Sequence, residues 1–357
     1  MTDSILNLFA ERSIHILSHS RRFLERQKSE LAGINRWSAD IFDRLIQFME
    51  QGKCIRGNLV LLGGELGGAD VSSGMYDAAA AIELFQSSIL IHDDIIDQDT
   101  VRRGATTIHT QYTETAAAEL QSDNAPHIGA SLAICVGDVG FNLTYALLAA
   151  ADLPDRIKTE LTRFWGVEFA KVGLAEMDDV YMAFSDGAAG LDRILSLYRY
   201  KTARYTFCVP FLTGLTIADA KEKLRDQVEE LGDVLGLMFQ IKDDELGIFG
   251  DEKTVGKPVG SDIRENKKTL FHHYLMALDD EHLRSEASAL FRRSDITADD
   301  VRRIRDIITE TGIKETIASR MQELCDRAQT MISHLDVSAS QRNYLMQLVQ
   351  YNTNREQ

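Results

Sequence analysis

Apolar residues recur in steps of three and four along most of this chain, as in Ile5, Leu8, Phe9, Ile14 and Leu17, and again in Ile41, Leu45, Ile46 and Phe48. That period belongs to helices with one buried face. Alternating strand-like runs are scarce. The spacing predicts helices over 3–30, 37–50, 55–66, 75–98, 106–120, 128–150, 154–181, 190–216, 219–247, 267–280, 284–293, 297–311, 313–333 and 338–351. Between them stand local turn signals: Gly63-Gly64, Gly67-Gly68, Asp123 to Pro126, Ser185-Asp186-Gly187, and the 250–260 stretch with Pro258. Only four prolines occur in 357 residues, which favours long uninterrupted helices. No low-complexity tether and no internal repeat divides the chain, so the expectation is one all-α domain over 1–357.

Charge narrows the functional classes. Asp and Glu number 55 against 39 Lys and Arg, a formal net charge of -16, so nucleic acid would meet mostly repulsion. A small polyanion can still bind where metal ions and a few cations invert the local field. Cys54, Cys135, Cys208 and Cys325 lie far apart with no CxxC spacing, which argues against a zinc site or a disulfide framework and fits a reducing cytoplasm. No run of uncharged apolar residues is long enough to cross a bilayer, and no transmembrane segment is expected.

Candidate chemistry sits in two acidic clusters. In Asp93-Asp94-Ile95-Ile96-Asp97, the first and last Asp share a helix face, so both carboxylates can address one point. The apolar run Ile82 to Ile91 precedes them. The second cluster, Asp243-Asp244-Glu245, ends the apolar run Leu235 to Ile241. Acids crowded beside a buried face need a counter-charge, and hard carboxylate oxygens suit Mg²⁺, which keeps water and substrate phosphate as further ligands. Most Asp pairs are solvated helix ends; two such clusters on apolar helices, each followed by cations, argue for a metal–diphosphate site.

The cations fall in recognisable places. Lys53 and Arg56 in Gly52-Lys53-Cys54-Ile55-Arg56-Gly57 stand near a helix N-terminus, a suitable cradle for phosphate. Arg102 and Arg103 follow the first cluster and, being adjacent, diverge, so that they can serve different diphosphates. Lys201-Thr202 runs into an apolar segment, and Lys257 lies in the loop after the second cluster. Lys267 and Lys268 follow Asp262; Lys267 is counted with the substrate cations, and Lys268 reads as an ordinary surface charge.

These residues resemble the polyprenyl synthetase family, the trans-isoprenyl diphosphate synthases. Gly52-Lys53-x-x-Arg56 resembles the family's first basic motif, Glu83-x-x-Gln86 the segment touching isopentenyl diphosphate, and Asp93 to Gly104 the DDxxD...RRG motif. Ala175 to Val180 is similar to G-Q/E-x-x-D-L, Tyr200-Lys201-Thr202 to K-T, and Phe239-Gln240 through Lys257 to FQ-x-x-DD...GK. The resemblance implies a bundle of long antiparallel helices around a central cavity, a homodimer, and about three Mg²⁺ ions per site. By motif it implies that Asp93, Asp97 and Asp243 ligate metal, supported by Asp94, Asp179 and Asp244. Arg102, Lys201 and Lys257 would hold the allylic diphosphate, and Lys53, Arg56, Gln86 and Arg103 isopentenyl diphosphate. Thr202 and Gln240 would turn oxygen dipoles toward the allylic cation, and the 251–262 loop is a candidate lid.

Departures from the pattern are Gly247, where many relatives carry a third Asp, Cys54-Ile55 in the basic motif, and the lack of a basic tail over Tyr351 to Gln357. In this family the residues before the first Asp motif form the floor of the tail cavity, here Phe85, Ser88 and Ile89. Ser88 is too small to stop a short tail and Phe85 lies one turn deeper, roughly 5.4 Å, which predicts a product of about C20 to C25. A class I terpene cyclase, a head-to-middle prenyl synthase and a non-catalytic regulatory subunit are the rival readings.

Overall fold

Ser4, Ser72, Thr269, Asp280, Thr297 and Ser338 each turn a side-chain oxygen onto the first backbone amides of the helix that follows. Thr297 and Ser338 complete reciprocal capping boxes with Asp300 and Gln341. Such caps satisfy amide groups that the helix itself leaves unpaired. The computed structural model describes residues 4–185, 187–250, 260–291, 293 and 295–355, and the chain it shows is all-α. Its helices are α1 (Ile5–Glu30), α2 (Trp37–Glu50), α3 (Ile55–Leu66), α4 (Ser73–Ile96), α5 (Ile108–Leu120), α6 (Ala125–Ala150) and α7 (Asp155–Phe184). They continue with α8 (Leu191–Leu197), a π-helix (Tyr198–Cys208), α9 (Val209–Ile217), α10 (Glu222–Phe249), α11 (Ser261–Arg264) and α12 (Leu270–Met276). The last four are α13 (Glu281–Leu290), α14 (Ala298–Glu310), α15 (Ile313–His334) and α16 (Ala339–Asn354).

The chain forms two compact units, Met1–Trp165 with Pro210–Arg225, and Gly166–Val209 with Asp226–Gln357. In the first, α4 packs against α1, α2, α3, α5 and α6. Ala78 to Ala81 are fully buried in succession, which a helix shows when neighbours surround it rather than line one side. Small residues let α6 approach closely: a Cβ on Gly140 would stand 2.1 Å from Ser88 Oγ. Over one window α6 has a mean hydropathy of 1.6, long and apolar enough by those measures to span a membrane, yet 44% of that window is buried. It is interrupted by Asp138 and packed on α4 and α5.

In the second unit α12 touches α8, α13 and α15, and α13 to α16 follow as successive neighbours. The sequence period predicted these helices to within a few residues. It predicted one uninterrupted helix over 190–216, and there the structure inserts the 11-residue π-helix. A two-residue strand pair, β1 (Val101–Arg102) with β2 (Ala105–Thr106), was likewise not expected. The expected 267–280 helix is shorter, Leu270–Met276. Lys268 is not a surface charge: it is buried, and its Nζ donates to Asn266 Oδ1 at 2.9 Å.

The α4–α6 crossing yields a test. Gly140→Ala should lower stability by about 1–3 kcal/mol through overpacking, read from the urea midpoint. Adding Ser88→Ala, which deletes the nearest atom, should restore part of the loss; additive losses would show that the crossing does not depend on this pair.

Candidate active site

The first unit carries two ionic sets. Asp93 and Asp94 end the apolar run of α4, and Asp97 caps it, its amide donating to Asp93 O at 2.8 Å. Arg102 folds back onto them: Nη2 donates to Asp93 Oδ2 at 3.1 Å and to Asp99 Oδ2 at 3.4 Å, and Nε to Asp94 Oδ1. Asp94 is fully buried and its Oδ2 has no hydrogen-bond partner among the described residues. Burial pushes this carboxyl up to about 6, against the pull of Arg102.

Arg103 and Gly104 both have positive φ, 54° and 76°, and join β1 to β2 in a two-residue turn of the type I′ class that such angles define. The turn explains why adjacent arginines part: Arg102 pairs across the ladder with Ala105 and faces the aspartates. Arg103 runs toward Gly52, its Nη1 lying 3.2 Å from where a Gly52 Cβ would sit. Around it lies the second set, in which Glu83 of α4 is buried beside Arg56 and Arg103. Glu83 Oε1 accepts from the Gly57 amide at 2.7 Å, so that amide in the first turn of α3 is occupied by a carboxylate. That end holds a carboxylate, with exposed Lys53 and half-buried Arg56 beside it. Cys54 between them is left-handed at φ 50° and buried, and burial raises its thiol pKa, so it is no nucleophile. Gln86 is buried on α4.

The residues expected to form a tail floor divide. Ser88 is fully buried against Gly140, where its small size serves the helix crossing. Phe85 packs on Phe141, ring centroids 5.4 Å apart, and Phe141 meets His92 edge-on at 5.2 Å. Ile89 is half-buried. Phe141, absent from the sequence expectations, is thus Phe85's partner; its aromatic ring on an apolar helix was the available signal.

In the second unit the π-helix presents Lys201 and Thr202. Lys201 Nζ lies 2.5 Å from Asp179 Oδ2 and 2.8 Å from Glu176 Oε2. Thr202 Oγ donates to Gln240 Oε1 at 2.5 Å, and Gln240 Nε2 donates to Asp244 Oδ1 at 2.8 Å. The other Asp244 oxygen accepts from Tyr198 Oη, which itself accepts from the Leu270 amide at 2.8 Å. Both Asp244 oxygens are therefore engaged by protein groups. Burial, followed by the charge of Asp262, holds this carboxyl's pKa well above the ordinary range. Besides Tyr198, two residues overlooked in sequence emerge here. Asp262 Oδ2 stands 2.5 Å from where a Gly247 Cβ would be, filling the space of the missing third Asp. Arg355 Nη2 lies 2.5 Å from Asp243 Oδ1. Lys267 pairs with Glu265 at 2.9 Å. Lys257, and with it 251–259 of the candidate lid, lies outside the described residues.

Among the described residues no three His, Cys, Asp or Glu side chains form a ready-made metal cage. The donors that do occur are carboxylates in ones and twos, and one buried oxygen, Asp94 Oδ2, is unpartnered. Such a set fits a hard ion that completes its shell with water and phosphate, as Mg²⁺ does.

An all-helical chain with acidic clusters on apolar helices, each carrying its own cations, defines a narrow class. Residues 35–308 match the model of the polyprenyl synthetase family, and the chain belongs to that family. It is 35% identical over 206 residues to a short chain isoprenyl diphosphate synthase of Methanocaldococcus jannaschii, spanning 57% of either protein, less than two thirds of that relative's length. It is 29% identical to the geranylfarnesyl diphosphate synthase of Aeropyrum pernix over 84% of this chain and 89% of that one. A crystal structure of Corynebacterium glutamicum geranylgeranyl pyrophosphate synthase, complexed with isoprenyl diphosphate and magnesium, superposes with a TM-score of 0.91 at 27% identity, covering 97% of this chain and 99% of the other.

Asp94 offers a test of the first ionic set. A carboxyl whose folded pKa is raised binds its proton more tightly folded than unfolded, so it costs stability as pH rises from about 4 through 6. In EDTA, Asp94→Asn should melt above the parent at pH 7.5, and the difference should vanish near pH 4. A variant that melts lower at pH 7.5 would mean that Arg102 stabilises the ionised form.

Proposed function

We propose that this chain is a Mg²⁺-dependent isoprenyl diphosphate synthase that joins isopentenyl diphosphate head-to-tail to an allylic diphosphate in the trans sense, giving a product of about C20 to C25. The observation that carries the reading is the parting of Arg102 and Arg103 at the Arg103–Gly104 turn into two separate ionic sets. A synthase must hold two diphosphates, and a cyclase acting on one has little use for Lys53, Arg56 and Arg103.

In this reading Lys53, Arg56, Arg103 and Gln86 take isopentenyl diphosphate, and Lys201, steered by Glu176 and Asp179, takes the allylic one. Asp93 and Asp97, and Asp243, are the carboxylates offered to about three Mg²⁺ ions. When bound, the ions neutralise charge on the departing pyrophosphate. Thr202 donates its hydroxyl hydrogen bond to Gln240, so its oxygen presents lone pairs suited to an allylic cation. The π-bond of isopentenyl diphosphate captures that cation, and the released pyrophosphate removes the proton. Asp262, beside Gly247, is a third carboxylate in the neighbourhood of the Asp243–Asp244 pair.

We also propose a homodimer. Val167, Leu174, Met177, Tyr181 and Phe184 are all exposed along α7, at steps of seven, three, four and three residues that keep them on one face, as in a helix–helix seam. A stripe of this kind left in water marks an association surface, and a two-fold pairing would cover it. The double variant Leu174→Lys, Met177→Lys should halve the mass seen by light scattering; an unchanged mass would remove this face from the interface.

Incubation of the protein with isopentenyl diphosphate, Mg²⁺ and each allylic starter, followed by chromatography of the lipid, tests the activity. A cyclised hydrocarbon from a single diphosphate would favour the cyclase, and absence of turnover the regulatory subunit. Phe85→Ala should lengthen the product by about one five-carbon unit. An unchanged product would shift the floor to Phe141 or Ile89.

A further inference from the structure

Arg355 follows α16 and lies against α10. Its side chain is only 6% exposed, whereas that of Asp243 is 42% exposed. The guanidinium stacks on the Phe239 ring at 3.7 Å, donates to Phe239 O at 2.7 Å and reaches Asp243 Oδ1 at 2.5 Å. Its Nε has no hydrogen-bond partner among the described residues. The approach is built in: fully buried Asn352 donates to Leu235 O at 2.9 Å, and Leu345, Leu348 and Val349 are buried along the same helix. The Arg355 amide closes that helix on Tyr351 O at 3.0 Å. A lone arginine near the end of the sequence thus sits on the carboxylate that the proposed function offers to metal.

We propose that Arg355 is a displaceable counter-cation of Asp243, which keeps metal off this carboxylate until a diphosphate is present to receive the guanidinium. The inference rests on the diphosphate-synthase reading. A guanidinium on Oδ1 opposes a divalent ion on the same carboxylate, because two cations a few ångströms apart repel. The stack on Phe239 and the bond to its carbonyl keep Arg355 nearby when Asp243 is given up. A multiply charged diphosphate reverses the balance, since it attracts both cations and matches the guanidinium fork. Metal and diphosphate then load together, and a metal-loaded carboxylate without substrate is disfavoured.

The test is Mn²⁺ binding to the full-length protein, read from the free-ion electron paramagnetic resonance signal with and without inorganic pyrophosphate. The parent should bind the Asp243-dependent ion tightly only with pyrophosphate. Arg355→Met should tighten that ion about tenfold without pyrophosphate and shrink the pyrophosphate effect by a similar factor. Arg355→Lys, which keeps charge but not the planar fork, should fall between, and Asp243→Asn should abolish the difference. A Mn²⁺ isotherm without pyrophosphate that is unchanged or weakened in Arg355→Met overturns the inference. Circular dichroism melts of each variant separate this outcome from unfolding, with Arg355→Lys as the milder replacement. If the parent makes prenyl diphosphate and binds Mn²⁺ with pyrophosphate while Arg355→Met behaves identically, only the Arg355 role fails. If the parent binds no Mn²⁺ with pyrophosphate and makes no product, the synthase reading fails.

Discussion

A carboxylate carried into a hydrocarbon interior must bring a cation, a donor or its own proton, because solvation is no longer available. Each acidic group on the apolar helices meets this requirement differently. Asp94 takes Arg102 on one oxygen and leaves the other bare. Glu83 takes the amide end of α3 beside Arg56 and Arg103. Asp179 takes Lys201, Asp244 takes Tyr198 and Gln240, and Asp243 takes Arg355. What can bind a metal or a diphosphate is set by which of these arrangements can be exchanged for something else. Amide and hydroxyl partners are fixed by the fold, whereas arginine and lysine partners can leave for a stronger anion.

The helical period carried most of the fold into the sequence, because long helices with few prolines write their buried faces every three or four residues. The departures from it have local causes. The segment Tyr198–Cys208 mixes Arg199, Lys201 and Arg204 with aromatic rings on several faces, so a wider helical turn leaves no mark in a period of three and four. The β1–β2 pair is too short for alternation to show, and its only signal was Gly104 after two arginines. Lys268 was misread because composition cannot distinguish a solvated ammonium from one held beneath Asn266 and His272.

The candidate site is legible wherever its chemistry is concentrated in consecutive residues. The two Asp clusters, the Lys53–Arg56 pair and Lys201–Thr202 all announce themselves at short range. Tyr198, Asp262 and Arg355 do not, since each reaches its partner across a long stretch of chain: Tyr198 to Asp244, Asp262 to Gly247, Arg355 to Asp243. Tyr198 was visible as a tyrosine beside the Lys-Thr pair, and Arg355 as a single cation in a segment judged to lack a basic tail. One well-seated guanidinium does what a count of basic residues overlooks.

Gly247 shows how a departure from a motif can be misjudged when only the motif is read. In sequence it is a lost carboxylate. In the structure it is the opening through which Asp262 enters, since an Oδ2 2.5 Å from the virtual Cβ would have to move for any side chain at 247. An aspartate restored there would have to expel Asp262 and would bring a further negative charge toward Asp244, whose carboxyl already has its pKa raised by burial and by Asp262. The glycine and the later aspartate are therefore one arrangement: the chain supplies the charge from the first turn of α11 instead of from α10 itself. Asp243 is left as the more open of the two aspartates, paired with Arg355.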